Sequence, residues 1–396
     1  MCIAEVPGVR RLLPALLFFI SACEVEPTVS PLPLHQESRR AILEAALWMP
    51  ELPYPRKLLS AYGLESQGWE LLPLIRDDVA AFRRSDSDHL IAGDSLPIDD
   101  LRPIHSLGLP LGQAVFHYFP MRADRWLDWL VQSPEHWDAV GLRTTADGTI
   151  HGVVRHIDAQ GKPAVAITCA LCHSAESKVA DFHDGRATRA LDLGLARALW
   201  RQASGLSQGP EAYWGPGRID VTDDGIDSPT VIPDLFGLKH AQYLNCSGVI
   251  EVSHAMVPAI RFETQYILGH ELLARPARHL TVALANYVMS LESGTRHGEI
   301  PSAFWQHCAQ CHDPEHGFSG GLVDAQAVGT DVTAATTPNR GTGYYKVPSL
   351  LGVSFGGPYF HDGSALTFDD VFTVHTQAQD VNRAAQQQIT DFLLTL

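Results

Sequence analysis

The apolar positions of this chain fall into several different rhythms. Leu12 to Ile20, LLPALLFFI, is a short continuous apolar run behind Arg10 and Arg11. Arg39 to Met49 and Gln113 to Val131 place apolar residues at helical spacing and predict helices. Pro97, Pro103 and Pro110 break the stretch between them. IHGVVRHIDAQGKPAVAIT, Ile150 to Thr168, alternates on both sides of DAQGK and predicts a β-hairpin. Two further helices are expected to end in ANYVMSL, Ala285 to Leu291, and TDFLLTL, Thr390 to Leu396. Tyr287 then matches Phe392, and Leu291 matches Leu396. The pattern predicts a mainly α protein with a mixed N-terminal extension that contains the hairpin.

The apolar run near the N-terminus is about half the length of a membrane-spanning helix. Ile20-Ser21-Ala22-Cys23 resembles the bacterial lipobox, so residues 1–22 read as a lipoprotein signal peptide and Cys23 as the lipidated first residue. The plain alternative is a secretory signal with an incidental cysteine. Either way the protein leaves the cytoplasm, and the lipobox reading anchors it in the cell envelope, facing the periplasm or cell exterior. Glu24, at the second mature position, favours the outer membrane. Residues 23–37 are proline-rich and polar and read as a tether.

The 396 residues are 45% hydrophobic and 19% charged, an ordinary globular composition. A formal charge of −16 argues against nucleic acid as a partner, because phosphate contacts need a basic surface. The acidic surface would instead suit a basic protein partner, or simply be a solvated acidic surface.

Among the seven cysteines, Cys2 leaves with the signal, Cys23 is the lipidated residue and Cys246 stands alone as a small packing residue. The other four form CALCH, Cys169 to His173, and CAQCH, Cys308 to His312. A disulfide in each pair, as in thiol oxidoreductases, leaves the two histidines idle. Zinc shared by the four cysteines does the same. Covalent c-type haem attachment uses every residue. Cys169 and Cys172 would form thioethers to one haem and His173 would bind its iron. Cys308, Cys311 and His312 would serve a second, giving two covalently bound haem c groups.

The divisions that follow are an extension over 38–163, a first haem unit over 164–293 and a second over 294–396. Each unit starts near a CxxCH and ends in an amphipathic helix. Both contain FHDG, at Phe182 to Gly185 and Phe360 to Gly363, at different distances from the motif.

YYKVPSLLGVSFGGPYFHDGSALTFDDV, Tyr344 to Val371, resembles the second half of bacterial di-haem cytochrome c peroxidases, a pattern shared by MauG-type enzymes and rubber oxygenases. CALCH after a hairpin and YWGPGRID, Tyr213 to Asp220, resemble the rubber-oxygenase side of that superfamily. The likeness covers roughly residues 140 to 396. It implies two cytochrome c-like helical domains. One haem reacts with peroxide or oxygen, and the other relays electrons from a small donor protein, a cytochrome c or a cupredoxin.

The resemblance also assigns roles. The family's relay haem takes a methionine shortly after PYFHDG, but here no methionine follows Met289. His375 stands near the matching place and is the expected second ligand opposite His312, with His361 its competitor. For the first haem, His183, His240, His254 and Met256 are the candidates opposite His173, and an open site is the leading reading. Glu263 is the weak candidate for the family's acid–base glutamate. Trp214 is a weak candidate for its inter-haem tryptophan, with loop packing as the competing role. Arg218 would pair with a haem propionate or form a surface salt bridge. His151 and His156 read as strand-face histidines. VTDDGIDSP, Val221 to Pro229, has the acidic density of a calcium loop but lacks its closing glutamate, so it reads as a solvated turn. The first functional reading is a peroxidase-like redox enzyme. The alternative is an electron carrier with two six-coordinate irons.

Overall fold

The computed structural model describes residues 36–61 and 108–396, apart from 147, 159, 177–181, 223–225 and 295–297. The signal peptide, Cys23, almost all of the tether, Pro97 and Pro103 lie outside the described residues. Helix α1, Gln36–Ala46, begins earlier than expected and ends at Ala46, where Leu47 makes a β-bridge to Ile250. Its Leu43 and Ala46 are buried with Val257, Ile260 and Ile267. Helix α2, Pro53–Ser60, carries proline in its first turn, where the missing N–H costs no helical bond.

The single helix expected over 113–131 is two. Helix α3 is Leu109–Tyr118, and Phe119 after it is extended, as a residue before proline tends to be. The Met121 N–H donates to the Ile167 carbonyl at 2.9 Å, and Arg122–Ala123 form strand β1. Helix α4, Arg125–Leu130, follows. Strand pairing thus overrides helical spacing at Phe119 to Asp124. The expected hairpin is present: β2, Val153–Ile157, pairs antiparallel with β3, Pro163–Ile167. Its turn is held by Asp158, whose carboxylate accepts from the Gln160 and Lys162 N–H groups. β1 occupies the other edge of β3.

β3 delivers the chain to α5, Cys169–His173, the first motif. Strands β4, Ser174–Glu176, and β5, Phe182–Asp184, pair behind it. Helix α6, Leu193–Ala203, is capped by Asp192, and the short strands β6, Arg218–Ile219, and β7, Thr230–Val231, form a ribbon. Helices α7, Val257–Gly269, and α8, Arg278–Ser290, complete this half. α3 lies so close to α8 that a side chain at Gly112 would meet the Tyr287 Cβ at 2.6 Å. One core contains Leu111, Phe116 and Leu127 together with Leu171, Leu193, Leu280 and Leu284. The boundary expected at 163/164 falls inside β3, and this core runs across it.

The C-terminal part starts with α9, Ser302–His307, whose last turn leads into CAQCH. Strands β8, Leu322–Asp324, and β9, Tyr344–Lys346, pair antiparallel. Helix α10, Phe368–Val374, opens with a Thr367/Asp370 capping box. Helix α11, Arg383–Leu393, is capped by Asn382 and packs on α9. Phe304, Phe318 and Phe392 meet edge to face, 5.1 to 5.7 Å apart, at the centre of a second core. The fold is helix-rich and mixed, with strands confined to small sheets. No helix among the described residues is long and apolar enough to cross a membrane.

Candidate functional site

The two CxxCH motifs are held in the same way by unrelated pieces of chain. In the first, the His173 Nδ1 lies 3.0 Å from the Pro233 carbonyl oxygen. A carbonyl can only accept, so Nδ1 carries the proton and Nε2 keeps its lone pair. The α5 carbonyls left open at its C-terminal end are taken by the next loop: Gly185 N–H donates to the His173 oxygen and Thr188 N–H to the Cys172 oxygen, both at 2.8 Å. In the second, the His312 Nδ1 lies 3.0 Å from the Phe318 carbonyl. That carbonyl returns because residues 313–319 close on themselves. Asp313 N–H donates to the Ser319 oxygen, and Phe318 N–H donates to the Asp313 oxygen.

Burial pushes both imidazoles down to about 4, so each is neutral and competent as a metal ligand at neutral pH. Burial also raises the Cys169 and Cys308 thiols to about 11 and the Cys172 thiol to about 12. None of the four motif cysteines is in a disulfide. Among the described residues, no group of three or more His, Cys, Asp or Glu side chains converges on a bare-ion site. The residues present fit a haem at each motif. Each offers two sulfurs three residues apart and, beside them, a neutral imidazole whose Nδ1 is tied to a backbone carbonyl; at the second motif the Pro348 carbonyl also acts on His312.

His375 caps the end of α10, and its Nδ1 is buried without a hydrogen-bond partner. It is close enough to His312 to help, after burial, to push that imidazole down. His361 packs its ring on Tyr345 at 4.0 Å, with its Nε2 buried and unpartnered. His240 sits on the second loop rather than at the first motif: a side chain at Gly317 would meet its Cδ2 at 2.5 Å. The His254 Nδ1 accepts the Met256 N–H at 3.0 Å, and Met256 is buried in the core behind α1. The His183 Nε2 is 3.4 Å from the Glu292 carbonyl, and its ring lies 5.2 Å from Phe236.

Comparison with known proteins adds little. No family model matches the chain, and no curated protein matches it. Among solved structures, one chain of Kuenenia stuttgartiensis hydrazine synthase, pressurized with xenon, is similar. It shares 17% identity over 45% of this chain and 76% of that one, with a TM-score of 0.30. A score that low supports no conclusion about fold or activity.

The remaining residues singled out in the sequence are engaged elsewhere. Glu263 is fully buried in an ion pair with Arg39 at 2.5 Å, and Arg278 and Arg275 stand 3.8 and 3.9 Å away. Trp214 is buried, its Nε1 donates to Asp227 at 2.7 Å, and the Arg197 guanidinium lies 5.1 Å over its ring. Arg218 donates to the Asp362 carbonyl at 3.1 Å, joining β6 to the second FHDG. Of the acidic turn, Asp227 is occupied by Trp214 and Asp223 and Asp224 lie outside the described residues. His151 stacks flat on Phe182 at 3.6 Å, and His156 is a fully buried strand residue.

Sequence reading missed Asp184, the acid of the first FHDG. Its carboxylate accepts from His117 at 2.7 Å, from Ser174 at 2.6 Å and from the Tyr287 hydroxyl. Burial alone would raise it; these donors outweigh burial and hold it at about 2. The repeat of FHDG was the available signal, but the His117 donor sits in the N-terminal extension.

Proposed function

We propose that this protein is an exported, lipid-anchored di-haem c-type cytochrome, built as two cytochrome c-like units and related to the di-haem peroxidase, MauG and rubber-oxygenase superfamily. In this reading it is a redox enzyme. Its first centre, at Cys169, Cys172 and His173, reacts with peroxide or oxygen. Its second, at Cys308, Cys311, His312 and His375, relays electrons from a small donor protein.

The observation that carries the reading is the matched pair of histidine supports. Two CxxCH segments in different parts of the chain each have an Nδ1–H tied to a backbone carbonyl at 3.0 Å. Such a bond fixes the tautomer and the ring orientation of a metal-binding histidine. When bound, haem supplies one-electron and oxygen-species chemistry, and the number of protein ligands on its iron decides between them.

The chain's own residues favour different roles for the two motifs. His375 presents a partly buried imidazole near His312, its protonation disfavoured by burial, which favours a closed centre. At the first motif, His240 belongs to the second loop and Met256 to the core behind α1, and His254 is engaged with its own helix start. With the His183 Nε2 at 3.4 Å from the Glu292 carbonyl oxygen, these placements favour an open first centre. Glu263 is not assigned to acid–base work, because its carboxylate is enclosed by arginines.

The test is a pyridine haemochrome assay with intact mass on the mature protein, followed by electron paramagnetic resonance before and after one-electron reduction. Two covalent haems and a high-spin ferric signal in either state are expected. No covalent haem would refute the reading. Two haems with only low-spin signals would replace the enzyme by an electron carrier.

A further inference from the structure

The two motif loops abut at the carbonyls that hold their histidines. Pro233, which accepts from His173, leads in four residues to Gly237. Gly237 has φ +74°, and any side chain there would overlap the Ser349 hydroxyl, so the backbone of one loop lies directly on that serine. The Ser349 Oγ donates to the Gly317 carbonyl at 2.7 Å and accepts the Leu351 N–H at 3.1 Å. The next residue, Phe318, supplies the carbonyl that holds His312 at 3.0 Å. From one imidazole to the other the chain is therefore continuous. It comprises covalent bonds, a hydrogen bond at each imidazole, one at Ser349, and a single van der Waals step at Gly237.

Phe236 packs the same seam. Its ring lies 2.6 Å from where a Cβ would stand on Gly185, and equally close to that position on Gly352. Gly185 belongs to the first site, because its N–H holds the His173 carbonyl. Gly352 belongs to the second half, because its N–H holds the Leu396 carbonyl. Trp214 takes no part in these contacts. It is fixed to Asp227 and lies under the Arg197 guanidinium of α6.

We propose, resting on the di-haem reading above, that this seam is the route by which electrons pass between the two centres, with Ser349 as its coupling residue. Electronic coupling falls more steeply across a gap than along covalent and hydrogen bonds. A hydroxyl that closes the gap between Gly237 and Gly317 is thus the step most sensitive to substitution. The transfer moves one electron and no atoms: a ferrous iron is oxidised and a ferric iron is reduced.

The experiment uses the full-length holoprotein and a photoexcited ruthenium(II) complex as the one-electron donor. Re-equilibration between the two haem Soret bands is then followed in time. Ser349→Ala is expected to slow it several-fold with both haem spectra and both potentials unchanged. Ser349→Thr, which keeps the hydroxyl, is expected to restore the rate, and Trp214→Phe to leave it at the wild-type value. If Ser349→Ala does not fold, Ser349→Cys, whose thiol is a weak donor, is expected to show the same slowing. An unchanged rate in the folded variant, or slowing by Trp214→Phe in place of it, overturns the proposal. Intact mass separates the two failures, because fewer than two haems sinks the di-haem reading before any rate is measured.

Discussion

Glu263→Gln separates two roles for one carboxylate. By family likeness it is the acid–base residue; by its surroundings it is the counter-charge that fastens α1 to α7. The Arg39 and Glu263 side chains are both 0% exposed and meet at 2.5 Å, and the Arg39 Nε donates to the same oxygen at 2.6 Å. Removing one partner of such a pair strands the other charge in a dry site, at a cost of about 3–5 kcal/mol. Against a total of about 5–15 kcal/mol for a folded protein, that is a large fraction. The amide keeps the shape of Glu263, so the loss reports charge and not volume. Urea unfolding at pH 7 is expected to show a midpoint well below wild type, and limited proteolysis to cut first near α1. Arg39→Met combined with Glu263→Leu should recover part of the loss, since an apolar pair can replace a buried ion pair. Recovery is incomplete because Arg275 and Arg278 still face the site at 3.9 and 3.8 Å. A Glu263→Gln protein with wild-type stability and abolished peroxide-dependent oxidation would refute this argument and return Glu263 to the chemistry.

Three further outcomes are expected. Burial, with His270 adding to it, holds His156 at about 4, below its ordinary 6.5. The unfolded chain therefore binds the proton more readily, and this contribution is full above pH 6.5 and lost as pH falls towards 4, about 3 kcal/mol in all. His156→Phe should lose less stability than wild type between pH 7 and pH 5, and equal losses would contradict the account. His375→Ala should convert the second haem from low spin to high spin; an unchanged low-spin spectrum there would remove His375 as its ligand. Asp184→Asn leaves at least one of its three part-buried donors unmatched and should cost about 1–3 kcal/mol in urea unfolding, whereas an unchanged midpoint would reduce the Asp184 cluster to ordinary packing.

What could be read from the sequence follows how local each feature is. The β2–β3 hairpin was legible because its turn is fixed within a few residues, by Asp158 accepting from Gln160 and Lys162. The helix over 113–131 was misread because its interruption is set at a distance. The Met121 N–H finds its acceptor at Ile167, on a strand that periodicity within 113–131 cannot reveal. The same distinction runs through the site. The sulfurs and imidazoles of CALCH and CAQCH are adjacent in the chain, so their chemistry is visible as a motif. The groups that make those imidazoles usable are not adjacent. Pro233 lies sixty positions beyond His173, and Phe318 six beyond His312. Glu263 shows the reverse case: the family likeness offered it only as a weak match, and its arginine partners come from distant parts of the chain, Arg39 on α1 and Arg278 at the start of α8. Ser349 combines both cases. It belongs to the VPSL segment that carried the family likeness, yet its contact with Gly317 joins two parts of the chain that the sequence leaves unrelated. A segment recognised by likeness can therefore owe its composition to a contact between the two motif loops as much as to the haem it adjoins.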